Sequence, residues 1–215
     1  MRISEFKPLI ANMPVDRHAF TSKLSTWKLV ESVDATFKSI FGASPRVTLS
    51  RGDLRQLARK ANLSEFIVGT ILWGYPNGMR GNHFLNIIAD FDAVKRLLAS
   101  ARQIDDWQAH SEGLKLIRGL GLSTYTKLLQ FLPAVVQQFN ALILDQRIID
   151  VVQQNVFDEL EPLHGLSSDN AAKRYPEYLK CMATISAELE VPTENIEFFL
   201  FEFGLHLKEQ EGRRD

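Results

Sequence analysis

Apolar residues recur at every third or fourth position along most of this chain, and that spacing restricts its fold more than any other feature. The first such run consists of Phe20, Leu24, Trp27, Val30, Val33, Phe37 and Ile40. This period is that of an amphipathic helix, whereas a half-buried strand alternates apolar and polar residues. Because no alternating stretch of useful length occurs, the sequence predicts an all-α fold.

Turn residues and N-capping residues divide this pattern into separate predicted helices. The predicted helices cover residues 16–41, 51–61, 64–73, 84–102, 105–116, 123–131, 146–157, 168–190 and 194–209. Short polar side chains favour helix starts, and the predicted N-caps are Ser50, Ser64, Asp145, Ser168 and Thr193. A chain of 215 residues suits a single helical domain spanning 1–215, and a division into two lobes stays open.

Composition argues against several classes of protein. No apolar run approaches the roughly 20 residues that cross a bilayer, and the first residues lack the apolar core of a signal peptide, so we expect no membrane partner. The lone cysteine, Cys181, permits no internal disulfide and no four-cysteine iron–sulfur cluster, and it suits a reducing cytoplasm. The five histidines show no metal-ligand spacing, so we expect no metal centre. From the cysteine content we expect a cytoplasmic protein.

Charge is unevenly distributed, although the net charge is only −1. Residues 1–110 carry 15 Lys and Arg against 10 Asp and Glu, whereas residues 111–215 carry 10 against 16. The small net charge argues against strong nonspecific nucleic-acid binding. The basic first part is either one face of a phosphate-binding cleft or a solvated surface with a chance excess, and both interpretations stay open.

The most informative motif is the hairpin Gly119-Leu120-Gly121, within a helix-hairpin-helix pattern over about 116–131. Glycines permit a tight turn, and Leu120 can anchor that turn between its flanking helices. The first amides of the next helix, from Leu122 onward, then face solvent, where they and the helix dipole attract a phosphate. An acidic residue, Asp145, follows the apolar run 141–144 downstream.

The segment RGLGLSTYTKLL followed by ALILDQRI resembles the helix-hairpin-helix and acidic-residue signature of DNA base-excision glycosylases. The resemblance covers about residues 116–150 and is closest to an 8-oxoguanine-glycosylase-like branch of small bacterial proteins. It implies a helix-hairpin-helix glycosylase fold, DNA or a modified nucleotide as the partner, and no cofactor, with a monovalent cation at the hairpin left open. The DNA contacts that it implies are at Gly119, Leu120, Gly121, Ser123 and Thr124.

By the same resemblance, Asp145 matches the catalytic Asp of the family, whose charge would stabilise a positive sugar as the base leaves. Ser123 occupies the position of the Schiff-base lysine, and serine cannot form the imine that lyase activity uses. Lys127 lies four residues later on the same helix face, so it is the candidate for a displaced amine. The alternatives are that Asp145 and Ser123 only cap helices, and that Lys127 faces solvent or a phosphate.

Other residues are candidates for binding the substrate. Tyr125, Gln146 and Arg147 are candidates for a base pocket, and Arg80, in the glycine-rich loop 74–82, is a candidate phosphate or base contact. A flipped base also needs a stacking surface. Aromatic residues that could supply one, most of them expected in the core, are Trp73, Tyr75, Phe198, Phe199, Phe201 and Phe203.

Two function classes therefore stay open. The first is a DNA N-glycosylase that excises a modified purine such as 8-oxoguanine, with a lyase step through Lys127 as an option. The second is a non-catalytic nucleic-acid or nucleotide-binding module, which includes an accessory protein of a bacterial antiphage defence system with its own protein partner. Ser123 and the slightly negative net charge favour the second class.

Overall fold

The computed structural model describes residues 1–28, 30–60 and 62–207, and the chain is predominantly helical, as the apolar spacing predicts. Residue contacts divide it into two compact units. Unit 1 combines Met1–Val15 with Leu142–Asp215, and unit 2 is formed by Asp16–Ala141. Among the described residues, no helix has both the length and the hydropathy needed to cross a bilayer.

The helices and strands of the described residues follow one another in chain order. The α-helices are α1 (Lys7–Ala11), α2 (Glu31–Phe41), α3 (Arg51–Arg59), α4 (Leu63–Gly74), α5 (His83–Ala89), α6 (Phe91–Ala99), α7 (Trp107–Lys115), α8 (Leu122–Phe131), α9 (Gln146–Gln153), α10 (Ala171–Leu189) and α11 (Thr193–Phe203). The strands are β1 (Ala19–Lys23), β2 (Arg46–Ser50), β3 (Gln103–Ile104), β4 (Val135–Val136) and β5 (Phe139–Asn140). Short 3-10 helices occur at Ile3–Phe6, Val15–Arg17, Leu24–Thr26, Asp158–Leu163 and Gly204–His206.

Two helices form the centre of unit 2. Every residue of α4 from Phe66 to Trp73 is buried, because that stretch is apolar on all sides and cannot lie at a surface. Residues 124–131 of α8 are buried as well. The two helices meet where the Trp73 and Phe131 rings pack edge to face, with centroids 5.2 Å apart. The last residue of α8 thus packs against the end of α4.

The predicted helix 16–41 is wrong over its first part. Residues 19–23 form β1, which pairs antiparallel with β2 from Ala19 opposite Ser50 to Lys23 opposite Arg46. Phe20 and Leu24 have helical spacing, but the backbone of this segment finds its hydrogen-bond partners in a strand far along the chain. Local spacing cannot reveal such a partner, so among the described residues of this prediction only 31–41 form an α-helix.

Other helix boundaries also differ from the prediction. The predicted helix 84–102 is two helices, α5 and α6, which meet at Asp90. The helix after Asp145 ends at 153, not 157, and the predicted helix 168–190 begins at Ala171. Leu29, Ala61 and residues 208–209 of the predicted helices lie outside the described residues.

Two of the predicted N-caps are confirmed and three are wrong. Ser50 and Asp145 accept hydrogen bonds from the first amides of α3 and α9. The helices predicted to start at Ser64, Ser168 and Thr193 instead have their N-caps at Asn62, Asn170 and Pro192. The side chain of Asn62 accepts from two amides, which explains why it displaces the serine two positions later.

A buried arginine begins α3 in unit 2. Arg51 is fully buried, and its Nε donates to Nδ1 of His18 at 3.2 Å. The guanidinium carbon lies 5.5 Å from the centre of the Trp73 ring. Burial, and secondly the positive charge of Arg51, lower the pKa of His18 from 6.5 to about 4. Only the neutral imidazole can accept the hydrogen bond from Arg51.

This arrangement predicts that the protein loses stability in mild acid. The unfolded His18 takes up a proton near pH 6.5 and the folded one only near pH 4, so lowering the pH across this window favours unfolding. Because water still reaches the ring, we expect a loss of about 1–2 kcal/mol in the free energy of unfolding. Urea unfolding at about pH 7 and about pH 4.5 measures the loss.

The control variant for this prediction is His18→Gln, which keeps a hydrogen-bond acceptor for Arg51 but does not titrate. Burial also lowers the pKa of His110, which acts in the same direction, so the comparison between the two proteins isolates the part due to His18. The variant should lose less stability over the same pH range. An equal loss in both proteins would show that His18 does not cause it.

Unit 1 contains a pair of buried tyrosines on α10 that fixes the segment before α9. The hydroxyl of Tyr175 donates to the carbonyl of Leu142 at 2.7 Å and accepts from its amide at 3.2 Å. The hydroxyl of Tyr178 donates to the carbonyl of Ile143 at 2.9 Å. These bonds satisfy the backbone of a buried, non-helical stretch. They set the point at which Asp145 starts the next helix.

Candidate active site

The turn between α7 and α8 covers residues 116–121 and packs against the start of α5. Gly119 has a φ of +81°, a region that favours glycine, and a Cβ at this position would lie 2.5 Å from the backbone oxygen of His83. Leu120 is only 4% exposed, so it anchors the turn as the sequence predicts. Gly119 is therefore required both by the turn and by its neighbour.

Gly121 has a different role, because its φ of −79° is open to any residue. Among the described residues, no heavy atom beyond Gly121 and its two chain neighbours lies within 4 Å of the point where its Cβ would be. It is the N-cap of α8 and has no side chain to satisfy the first amides of that helix. The prediction that Ser123 caps the helix is wrong, since α8 begins one residue earlier, at Leu122.

A cavity of about 520 Å³ lies beside this helix start. Residues that line it include Tyr75, Arg80, His83, Gly119, Gly121 and Thr124. The structure thus brings the glycine-rich loop after α4 together with the hairpin, and it places Arg80 and both hairpin glycines around one space. An arginine, a helix start without a side-chain cap and a partly buried aromatic ring suit a nucleotide phosphate and its base.

The amine of Lys127 lies at the side chain of Ser123. Nζ donates to Oγ of Ser123 at 2.8 Å and to its carbonyl oxygen at 3.3 Å. The helix turn between the two residues produces this contact, as their four-residue spacing predicts. Lys127 is only 6% exposed, so it does not face solvent. A buried amine beside a hydroxyl is a group that can act as a nucleophile when it is neutral.

Two residues at the end of α4 surround the Lys127 side chain. A Cβ on Gly74 would lie 3.0 Å from Cδ of Lys127, so the lysine stem runs along the backbone of α4. The centre of the Tyr75 ring lies 6.0 Å from Nζ. The Tyr75 hydroxyl shares a hydrogen bond of 2.7 Å with Oγ1 of Thr124, in the first turn of α8. Sequence reasoning named Tyr75 only as one of several possible stacking aromatics.

Tyr125 lies apart from this group. It is fully buried, and its hydroxyl contacts Nε2 of His110 on α7, with the two rings stacked. Burial raises the pKa of Tyr125 above its usual value and lowers that of His110. In this structure Tyr125 joins α7 to α8, which gives it a part in holding the hairpin.

Asp145 belongs to unit 1 and begins α9. Its Oδ1 accepts hydrogen bonds from the amides of Arg147 and Ile148, at 3.1 and 3.3 Å. A carboxylate in this position interacts favourably with the helix dipole. The N-capping predicted from sequence is therefore present, and a catalytic role would be additional to it.

The other two base-pocket candidates are held within unit 1. Gln146 is exposed, and its side chain bonds Asp150 and Ser168. Arg147 donates from Nη2 to the carbonyl of Glu202 at 3.3 Å, and its guanidinium carbon lies 5.0 Å from the centre of the Phe201 ring. Both residues thus tie α9 to its neighbours within unit 1.

The aromatic side chains considered for stacking are mostly in the core. Trp73, Phe198 and Phe199 are buried, as the sequence predicts. Tyr75 is the one of the six that lines the hairpin cavity. Two features of the sequence could have distinguished Tyr75 from the other aromatic residues. It directly follows a glycine, and it lies at a helix end within a cluster of turn residues.

The two units differ in charge. Unit 2 carries 16 Lys and Arg against 10 Asp and Glu, whereas unit 1 carries 9 against 16. The basic excess noted in the sequence therefore belongs to the unit that contains the hairpin, and positive charge attracts phosphates. Among the described residues, no cluster of three or more His, Cys, Asp or Glu side chains could hold a metal ion.

Comparison with known proteins places most of the chain in a described family. Residues 13–201 match the family described as "Putative 8-oxoguanine DNA glycosylase OGG-like protein", so the match covers most of the chain, including the hairpin and Asp145. No curated protein and no solved structure matches the chain.

Proposed function

This chain belongs to the OGG-like family of 8-oxoguanine DNA glycosylase-type proteins, and from that premise we propose that it excises an oxidised purine from DNA, with Lys127 as its reacting amine. DNA is the polymer that the family implies. A purine such as 8-oxoguanine is the base that we propose.

One observation carries the proposal, namely the position of the Lys127 amine. It lies 2.8 Å from Oγ of Ser123, the residue that stands where the family pattern has its Schiff-base lysine. Lys127 lies one helical turn after Ser123, and its side chain extends back so that the amine lies beside the Ser123 side chain. Its burial keeps bulk water away from the amine, so water does not compete with it for the sugar carbon.

In the proposed reaction, the lone pair of the Lys127 amine forms a bond to C1′ of the damaged nucleotide as the C1′–N9 bond breaks. The electron pair of the broken bond leaves with the purine, which takes up a proton. A proton then passes from the attached nitrogen to O4′, and the C1′–O4′ bond breaks with its electron pair going to O4′ as the nitrogen lone pair forms the C=N bond. The product is a ring-opened imine, which borohydride reduces to a stable link. The family resemblance implies that the charge of Asp145 stabilises a positive sugar as the base departs.

The hairpin and its surroundings support the binding of the DNA backbone. The first amides of α8, which Gly121 leaves uncapped, attract a phosphate, and Arg80 adds a guanidinium to the same cavity. The basic excess of unit 2 favours the approach of DNA to this side.

The second candidate function is a DNA- or nucleotide-binding module without catalysis, including an accessory protein in antiphage defence that binds a partner protein. Two observations favour it. Ser123 replaces the lysine of the family pattern, and the carboxylate of Asp145 already caps its own helix.

Duplex DNA that carries one 8-oxoguanine opposite cytosine distinguishes the two functions, with unmodified guanine as the control. The glycosylase predicts abasic sites, revealed by alkaline cleavage, in the oxidised duplex only. Affinity for the duplex should fall as salt rises, because bound phosphates release their counterions. Salt-sensitive binding without base release from a panel of oxidised purines would establish the module instead.

A further inference from the structure

We propose that Tyr75 is a positioning residue, which holds the Lys127 amine on the Ser123 side of α8, and that Gly74 leaves the space in which the lysine stem lies. The chemical meaning of this inference rests on the proposed function. Its geometry rests on contacts of α4 with α8 that are independent of any substrate.

Tyr75 is fixed to the same helix turn that receives the amine. Its hydroxyl shares the 2.7 Å hydrogen bond with Thr124, which is 2% exposed and directly follows Ser123. The ring centre lies 6.0 Å from Nζ of Lys127, the outer limit of an attraction between a cation and a ring face. The ring therefore forms one wall beside the amine, while Ser123 binds it on another.

Gly74 fixes the middle of the lysine side chain. A Cβ at this position would lie 3.0 Å from Cδ and 3.4 Å from Cε of Lys127, which is closer than side chains normally pack. Lysine has a flexible four-carbon stem, and freedom along that stem would spread the amine over many positions. Contacts with Gly74, Tyr75 and Ser123 hold the amine in a single position. A reacting group must be held in this way to be oriented before the reaction.

Tyr75 also lines the hairpin cavity, so it could instead be a stacking surface for DNA. The two roles have different kinetic signatures. A positioning residue changes the rate of reaction of bound DNA and leaves affinity unchanged, whereas a stacking residue changes affinity.

The kinetic experiment measures borohydride trapping at saturating abasic-site DNA, together with the dissociation constant for the same DNA. Tyr75→Leu should lower the trapping rate by about 10- to 100-fold, the cost of misplacing a reacting group by about 1 Å, with affinity changed less than about twofold. Tyr75→Phe keeps the ring and should restore most of the rate. Asn77→Ala, an exposed change in the same loop, is the matched control and should resemble wild type.

A second measurement needs no catalytic activity. Reductive methylation with formaldehyde and borohydride, followed by mass spectrometry of the peptide containing Lys127, reports how accessible the amine is. Methylation should be about tenfold faster in Tyr75→Leu than in wild type and nearly unchanged in Tyr75→Phe, with circular dichroism confirming that each variant is folded.

The outcomes separate this inference from the proposed function. If wild-type protein forms no adduct but Tyr75→Leu still exposes Lys127 to methylation, the proposed chemistry fails and the positioning role stands. Equal methylation in all variants would overturn the positioning role whether or not the protein is active. Weaker DNA binding at an unchanged trapping rate would identify Tyr75 as a stacking residue and overturn it too.

Discussion

Replacing Lys127 by alanine is expected to abolish the adduct that borohydride traps between the protein and DNA containing 8-oxoguanine. The adduct needs an amine that can form an imine with the sugar, and the amine of Lys127 lies 2.8 Å from Oγ of Ser123, the residue that stands where the family pattern has its lysine. Denaturing gel electrophoresis of the reduced mixture measures the covalent product directly.

Two controls make the Lys127 result specific. Lys127→Arg keeps a long basic side chain but supplies no primary amine, so it should also give no adduct. Ser123→Ala keeps the amine and removes one hydrogen bond, so it should trap at a reduced rate. Because Lys127 is 6% exposed, thermal unfolding must show that each variant is folded. If Lys127→Ala is trapped at the wild-type rate, the reacting amine belongs to another residue.

Asp145→Asn is expected to lower the rate of base release by about 10²- to 10³-fold, the size of effect found when a group that stabilises transition-state charge is removed. Asparagine is as good an N-cap as aspartate, and its side-chain oxygen can still accept from the amides of Arg147 and Ile148. The variant thus removes the charge and keeps the helix start. Single-turnover release of 8-oxoguanine at saturating protein gives the rate.

The matched control for Asp145→Asn is Asp106→Asn, which makes the same change at another N-cap. Asp106 accepts a hydrogen bond from the amide of Ala109 at 3.0 Å at the start of α7. This control should release the base at the wild-type rate. If Asp145→Asn does so as well, the carboxylate acts only as a cap. Asp145→Ala would then show only the loss of the cap, about 1 kcal/mol of stability.

The parts of the candidate site that lie within one helical turn could be predicted from the sequence. Lys127 reaches Ser123 because residues four apart share a helix face, and Asp145 caps the helix that it begins. Leu120 is buried where the hairpin pattern places it. The residues that contact Lys127 and Asp145 in these examples are near neighbours in the chain, so the spacing of residues is enough to predict the contacts.

The parts that depend on distant residues could not be predicted. Tyr75 contacts Thr124 from 49 positions away, and the backbone of His83 makes Gly119 necessary. The helix predicted over residues 16–41 fails for the same reason, because β1 is defined by its pairing with β2. Apolar spacing describes which face of a segment is buried, but it does not identify what covers that face.

Unit 1 is assembled from a segment before unit 2 and a segment after it, and this order has a consequence for how the protein is made. Its first 15 residues meet partners near the other terminus, as where Asn195 donates to the carbonyl of Ile10 at 2.9 Å. The ribosome synthesises all of unit 2 before it synthesises those partners. Unit 2 can therefore fold during synthesis, before the last helices of unit 1 have been made. Unit 2, which contains the amine of Lys127, can thus fold before the translation of unit 1, which contains the carboxylate of Asp145, is complete.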